Sequence, residues 1–149
     1  GTGSLSVEMA MRASAGKVYA VEKKSDAVHL IRKNAQKFGR DNLHVIEGLA
    51  PEALQDLEAP THCFIGGSSG NLHEIVALLL KKNPAVRLVI NCITLETLQE
   101  TMEAIKTLPL TDTEVVQVMV SRAKKLGRYH MMMGENPIYI ISCTGGKAE

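Results

Sequence analysis

The sequence predicts an α/β fold: a mostly parallel, doubly wound sheet with helices on both faces, ending in an antiparallel hairpin. Three observations predict it. Short apolar runs alternate with amphipathic segments along all 149 residues, the pattern of βα units joined by right-handed crossovers. A Gly-Thr-Gly-Ser turn opens directly into a helical pattern at the start of the chain, as the glycine loop of such a sheet does. The last two apolar runs, 114–121 and 137–143, have no helix-length periodic segment between them. They therefore pair as an antiparallel hairpin with a long connection.

The elements follow in order. Leu5–Arg12 reads as a short helix and Lys17–Glu22 as a β-rich strand. Ser25 and Asp26 offer a helix start, Val28, Ile31, Ala35 and Phe38 recur at helical spacing, and Gly39 stands where a C-terminal glycine belongs. Leu43–Glu47 is the next strand, broken by Gly48-Leu49-Ala50-Pro51, and Thr61–Ile65 is another, closed by Gly66-Gly67-Ser68-Ser69-Gly70. Leu72, Ile75, Val76 and Leu79 mark a helix that stops before Pro84. Arg87–Ile93 is a continuous apolar run of the kind buried on both faces of a parallel sheet. Thr94 caps a helix whose apolar positions are Leu95, Leu98, Met102 and Ile105. A doubly wound sheet places its glycine loop directly after its first central strand. Gly1 opens this chain, so the expectation is one domain over 1–149, N-terminally incomplete, with native sequence preceding residue 1.

Composition narrows the function classes. Seventeen Lys+Arg against sixteen Asp+Glu give a net charge of +1, so no global field demands nucleic acid or an anionic membrane. Cys63, Cys92 and Cys143 are widely spaced within apolar runs, with no Cys/His ligand spacing. That argues against a structural metal and suits a reducing cytoplasm. No run approaches the ~20 apolar residues of a membrane span, and no signal peptide opens the chain. The expectation is a cytoplasmic protein with neither a nucleic-acid nor a membrane partner.

Three stretches carry candidate chemistry. Gly1, Thr2, Gly3 and Ser4 lead into a helix, whose N-terminal amides and dipole face whatever sits there. Alone they fit an ordinary turn equally well, but Glu22 ends the following strand, where such folds place a carboxylate for ribose hydroxyls. Gly48, Leu49 and Ala50 follow the next strand and would lie over the base, with only apolar packing and backbone groups to offer; a plain strand-to-helix turn is as good a reading. Arg122, Lys124, Lys125 and Arg128 place four cations within seven residues, with His130 just beyond. Taken by itself, such a run is a solvated face. Met131, Met132 and Met133 suit adaptable packing or subunit contact, and His29, His44, His62 and His73 are scattered over different elements.

Taken together, GTGSLSVEMA, VYAVEKK, GLAPEAL, CFIGGSSGNL, LVINCITLETL and SRAKKLGRYHMMMGENPIYII resemble, in order and spacing, the CbiT-type precorrin C15-methyltransferases. These also occur as the C-terminal half of bifunctional precorrin C5,15-methyltransferases (decarboxylating). The resemblance runs from residue 1 to about residue 143. It implies a Rossmann-like class I methyltransferase fold and S-adenosylmethionine as methyl donor. It also implies methylation at C15 of a corrin precursor with loss of the ring C acetate carboxyl, in cobalamin biosynthesis. On this reading Gly1, Thr2, Gly3, Ser4, Glu22, Gly48, Leu49 and Ala50 hold the cofactor. Gly66, Gly67 and Ser68 meet the substrate, although a flexible turn before a helix is as good a reading of them; Asn91 either contacts the substrate or satisfies nearby backbone, and Arg122, Lys124, Lys125 and Arg128 grip its carboxylates. No catalytic base and no metal ligand is assigned. The resemblance also implies a homotetramer and a C5-methylating partner domain or subunit. No acidic or Asn-Pro-Pro motif follows the Thr61–Ile65 strand, which argues against amide-nitrogen methylation. The competing readings are another class I methyltransferase acting on RNA or protein, and a non-catalytic nucleotide-binding assembly module.

Overall fold

A computed structural model describes residues 2–146. The chain divides into two compact units, Gly1–Leu57 and Glu58–Glu149. No helix among the described residues is long and apolar enough to cross a membrane.

The first unit runs α1 (Ser4–Arg12), β1 (Val18–Glu22), α2 (Ser25–Lys37) and β2 (Leu43–Glu47). β1 and β2 pair in parallel, with Val18 opposite Leu43 and Glu22 opposite Glu47. One face of this pair packs on both helices, and Val7, Ala10, Val18, Ala20, Ile31, Ala35 and Leu43 form its core. Helix α2 ends as its sequence predicts, at Gly39 with φ 60°, a left-handed position that glycine adopts without strain. Phe38 leaves the predicted apolar face: it is the C-cap of α2 and 46% exposed. Helix α1 is closed from a distance. The Asn42 amide donates to the carbonyls of Ala10 (3.0 Å), Ala13 (2.8 Å) and Gly16 (3.1 Å), occupying groups that a helix end leaves unpaired.

The second unit runs β3 (His62–Ile65), α3 (Leu72–Lys82), β4 (Arg87–Cys92), α4 (Leu95–Thr107), β5 (Leu110–Val118), β6 (Ser121–Leu126), β7 (Tyr129–Gly134) and β8 (Ile138–Gly145). The main sheet has the order β3-β4-β8-β5, parallel between β3 and β4 and antiparallel at both pairings of β8. The antiparallel tail is thus as predicted, although β5 begins at Leu110 and its register shifts between Thr111 and Glu114. Its connection to β8 is not irregular. It folds into a separate two-stranded ribbon, β6-β7, turned by Gly127 (φ 61°) and Arg128. Glycine at the first of two turn residues is the chemistry of a type II′ hairpin.

Two burial expectations are corrected in this unit. β4 is not buried on both faces: Leu88, Ile90 and Cys92 are buried while Arg87, Val89 and Asn91 are half-buried. On that second face the Arg87 guanidinium donates to Thr144 (2.9 Å) and Ser142 (3.0 Å) of β8. Helix α4 buries Thr101 and Ala104, whereas Leu95 is 76% and Met102 38% exposed. The apolar periodicity misplaces the inner face because Thr101 satisfies its hydroxyl locally, donating to the Thr97 carbonyl at 2.7 Å. The Thr94 cap is present, accepting from the Thr97 amide at 3.2 Å.

Candidate cofactor and substrate site

In the first unit Glu22 and the Gly48-Leu49-Ala50 stretch lie at the carboxyl ends of the paired strands β1 and β2. Glu22 is half-buried at the end of β1, and its Oε1 accepts from the Lys24 amide at 3.0 Å. Its main-chain carbonyl accepts from the Gly48 amide at 3.0 Å, which ties the strand-end carboxylate to the glycine after β2. A side chain at Gly48 would meet Ala53 Cβ at 2.9 Å, so this turn has no room for one. Leu49 is 43% exposed and offers an apolar surface beside these polar groups.

The glycine turn is anchored to α2. Gly3 has φ 73°, and a Cβ there would lie 2.7 Å from Ile31 Cγ1, so both conformation and packing demand glycine. The Thr2 carbonyl accepts from Asn34 Nδ2 at 2.8 Å. Gly1 lies outside the described residues. An open depression of about 490 Å³ is lined by Thr2, Lys24, Ser25, Asp26, Ala27 and Leu30, within the range of small-molecule sites of roughly 300–1,000 Å³. It joins the glycine turn to the residues just after Glu22 but is not lined by Glu22, Gly48, Leu49 or Ala50. Glu47, absent from the sequence-based set, stands opposite Glu22 and accepts a hydrogen bond from the Ser25 hydroxyl. Only pairing register reveals it. Small residues, a strand-end carboxylate, an apolar rim and a first helical turn with unpaired amides fit an adenosyl-type ligand.

In the second unit the loop after β3 sits at the carboxyl end of the sheet. Gly66, Gly67, Ser69 and Gly70 are exposed, whereas Ser68 is 5% exposed and donates to Glu100 Oε2 at 3.3 Å. The Ser68 side chain is therefore turned into the protein. Asn91 continues the register one step beyond Ile90, the partner of Ile65. Its Oδ1 is buried with no hydrogen-bond partner among the described residues. Such an orphaned acceptor is uncommon in folded proteins.

The basic run lies on the ribbon. Val118 of β5 pairs with Ile138, and Tyr139 pairs with Cys92, so the ribbon springs from the same end of the sheet as the β3 loop. The register sets Arg122, Lys124 and Leu126 opposite Met133, Met131 and Tyr129, with Lys125 opposite His130 and Ala123 opposite Met132. Strand alternation thus divides the cations, and likewise the methionines, between two exposed faces. Arg122 has an internal partner, its Nε lying 2.5 Å from Glu135 Oε1. The Arg128 guanidinium lies 5.1 Å from the Tyr129 ring centroid, and its Nε donates to the Tyr129 hydroxyl at 2.9 Å.

Among the described residues there is no group of three or more His, Cys, Asp or Glu able to hold a metal ion. Burial pushes the Cys63 thiol up to about 11 and also raises that of Cys143, so neither is an activated nucleophile.

The fold is that of a class I methyltransferase. The chain belongs to the precorrin methyltransferase family, whose domain model matches residues 1–144. It is 39% identical over 144 residues to a probable cobalt-precorrin-6B C(15)-methyltransferase (decarboxylating) of Pyrobaculum calidifontis, covering 95% of this chain and 73% of that protein. The precorrin-6Y C5,15-methyltransferase structure from Geobacter metallireducens matches with TM-score 0.86 and 34% identity, over 97% of this chain and 76% of that one. A structure described as precorrin 8W decarboxylase, from Methanobacterium thermoautotrophicum, matches with TM-score 0.85 and 34% identity, over 98% and 77% of the two chains.

Proposed function

We propose that this chain transfers a methyl group from S-adenosylmethionine to C15 of a precorrin, with decarboxylation of the ring C acetate, in cobalamin biosynthesis. The observation that carries the reading is the family match across residues 1–144. It spans both units and supports treating them as one working methyltransferase domain. The names of the relatives supply the substrate class.

S-adenosylmethionine supplies an electrophilic methyl group when bound. Gly1, Thr2, Gly3 and Ser4 would hold its polar end, Glu22 would accept from its ribose, and Gly48, Leu49 and Ala50 would cover its base. Gly66 and Gly67 let a flat macrocycle approach, and Asn91 Oδ1 takes a hydrogen bond from the ligand. Lys124, Lys125 and Arg128, with Arg122 steadied by Glu135, hold substrate carboxylates. An ion pair to the departing carboxylate would stabilise the ground state and oppose its loss, so these cations grip the carboxylates that stay. Orientation then supplies much of the acceleration, and the conjugated macrocycle accepts the electrons left by CO₂.

A homo-oligomer in the cytoplasm completes the reading, a tetramer by family resemblance. Calorimetry with S-adenosylhomocysteine tests the cofactor assignment: saturable binding at one site per chain is expected. Absence of binding would favour the non-catalytic module instead.

A further inference from the structure

Glu100 lies on α4, outside every residue assigned to the site, yet it is tied to the loop after β3. The Ser68 hydroxyl, buried at 5% exposure, donates to Glu100 Oε2 at 3.3 Å. The next two residues are left-handed, Ser69 at φ 54° and Gly70 at φ 87°. A serine in that region is uncommon and persists where its surroundings hold it. Next to it the Asn71 amide donates to the Ser68 carbonyl at 3.1 Å, and Ser68 is drawn inward to Glu100. Without Glu100 the buried Ser68 hydroxyl would lose this acceptor.

Helix α4 repeats the device at the neighbouring strand. Cys92, the last residue of β4, has its Sγ 3.3 Å from Thr101 Oγ1. Thr97, Glu100 and Thr101 stand at helical spacings of three and four, so they share a face. That face reaches the carboxyl end of β4 and the loop following β3, where the substrate-side residues sit.

We propose that Glu100 is a positioning residue for methyl transfer, holding the Gly66–Gly70 loop through Ser68 so that Gly66 and Gly67 face the substrate. This rests on the proposed function in assigning the loop to the substrate. Loop order governs the alignment of donor and acceptor, so its loss falls on kcat more than on KM.

The test combines amide hydrogen exchange with steady-state kinetics on the full chain. In Glu100→Ala and Ser68→Ala, the Asn71 amide, bonded to the Ser68 carbonyl, is expected to exchange about tenfold faster, with β3 and α4 unchanged. In the same variants kcat should fall roughly tenfold while KM stays within about threefold. Glu100→Gln keeps an oxygen acceptor and should restore both readouts most of the way. Wild-type exchange in Glu100→Ala would overturn the proposal, as would loosening spread equally through β3 and α4. A loosened loop with unchanged kcat would also overturn it. Failure of the unaltered chain to methylate a precorrin would instead sink the proposed function, while exchange would still decide whether Glu100 tethers the loop.

Discussion

Glu22 joins two parts of the cofactor side, because its carboxylate faces the turn after β1 and its carbonyl holds Gly48. Glu22→Ala should weaken S-adenosylhomocysteine binding roughly ten- to a hundredfold, the effect of losing hydrogen bonds to a charged acceptor, and calorimetry would read it. Unchanged affinity would remove Glu22 from the site. Asn91 offers the opposite trade. Its orphaned Oδ1 costs stability in the absence of ligand, so Asn91→Val should raise unfolding free energy by about 1 kcal/mol in urea titrations while weakening substrate binding. Cys63, with its thiol raised to about 11, should label slowly with iodoacetamide at neutral pH, the rate climbing with pH as thiolate forms. Fast labelling near pH 7 would show that the thiol is not held up by burial. The position of Glu22 at the end of β1 and the Thr94 cap are legible in the sequence because a strand end and a helix start carry local signals. Glu47 and Asn42 are not. Their roles depend on register and on a helix end far away in the chain, which no local pattern encodes.

Elements were legible where period and punctuation agreed. Gly39, Pro84 and Thr94 bound their helices as the sequence predicts, and removing the Thr94 cap should cost about 0.5–2 kcal/mol in thermal or urea unfolding. The inner face of α4 was not legible, because a threonine bonded to its own helix can be buried where leucine was expected. Nor was the β6-β7 ribbon. Its strands carry cations and methionines in place of apolar alternation, and only the Gly127-Arg128 turn hints at it. The ribbon gives the basic run a testable form. Lys124→Ala and Arg128→Ala should raise KM for a polycarboxylate substrate several-fold with little change in kcat, the pattern of lost uniform binding. Arg122→Ala should matter less for binding, since its nearest carboxylate is Glu135. Impaired decarboxylation with unweakened binding in any of these variants would reassign the cations to the departing group.

At the scale of the whole molecule, the alternation of strands and helices gives the fold class correctly, and solved structures at 34% identity share it. The division into two compact units was not foreseen, since periodicity marks elements and says nothing of how sheets are partitioned. The candidate site is legible as motifs (the glycine turn, Glu22 and the loop after β3), whereas the inward turn of Ser68 and the β6-β7 ribbon depend on contacts distant in the chain. The central claim is that one chain couples methylation to decarboxylation. Mass spectrometry of a precorrin incubated with this protein and isotopically labelled S-adenosylmethionine tests it most directly. The expected product has gained one labelled methyl and lost one CO₂. Recovery of the precorrin unchanged, from protein that binds S-adenosylhomocysteine, would contradict it and point to a methyltransferase of another substrate class.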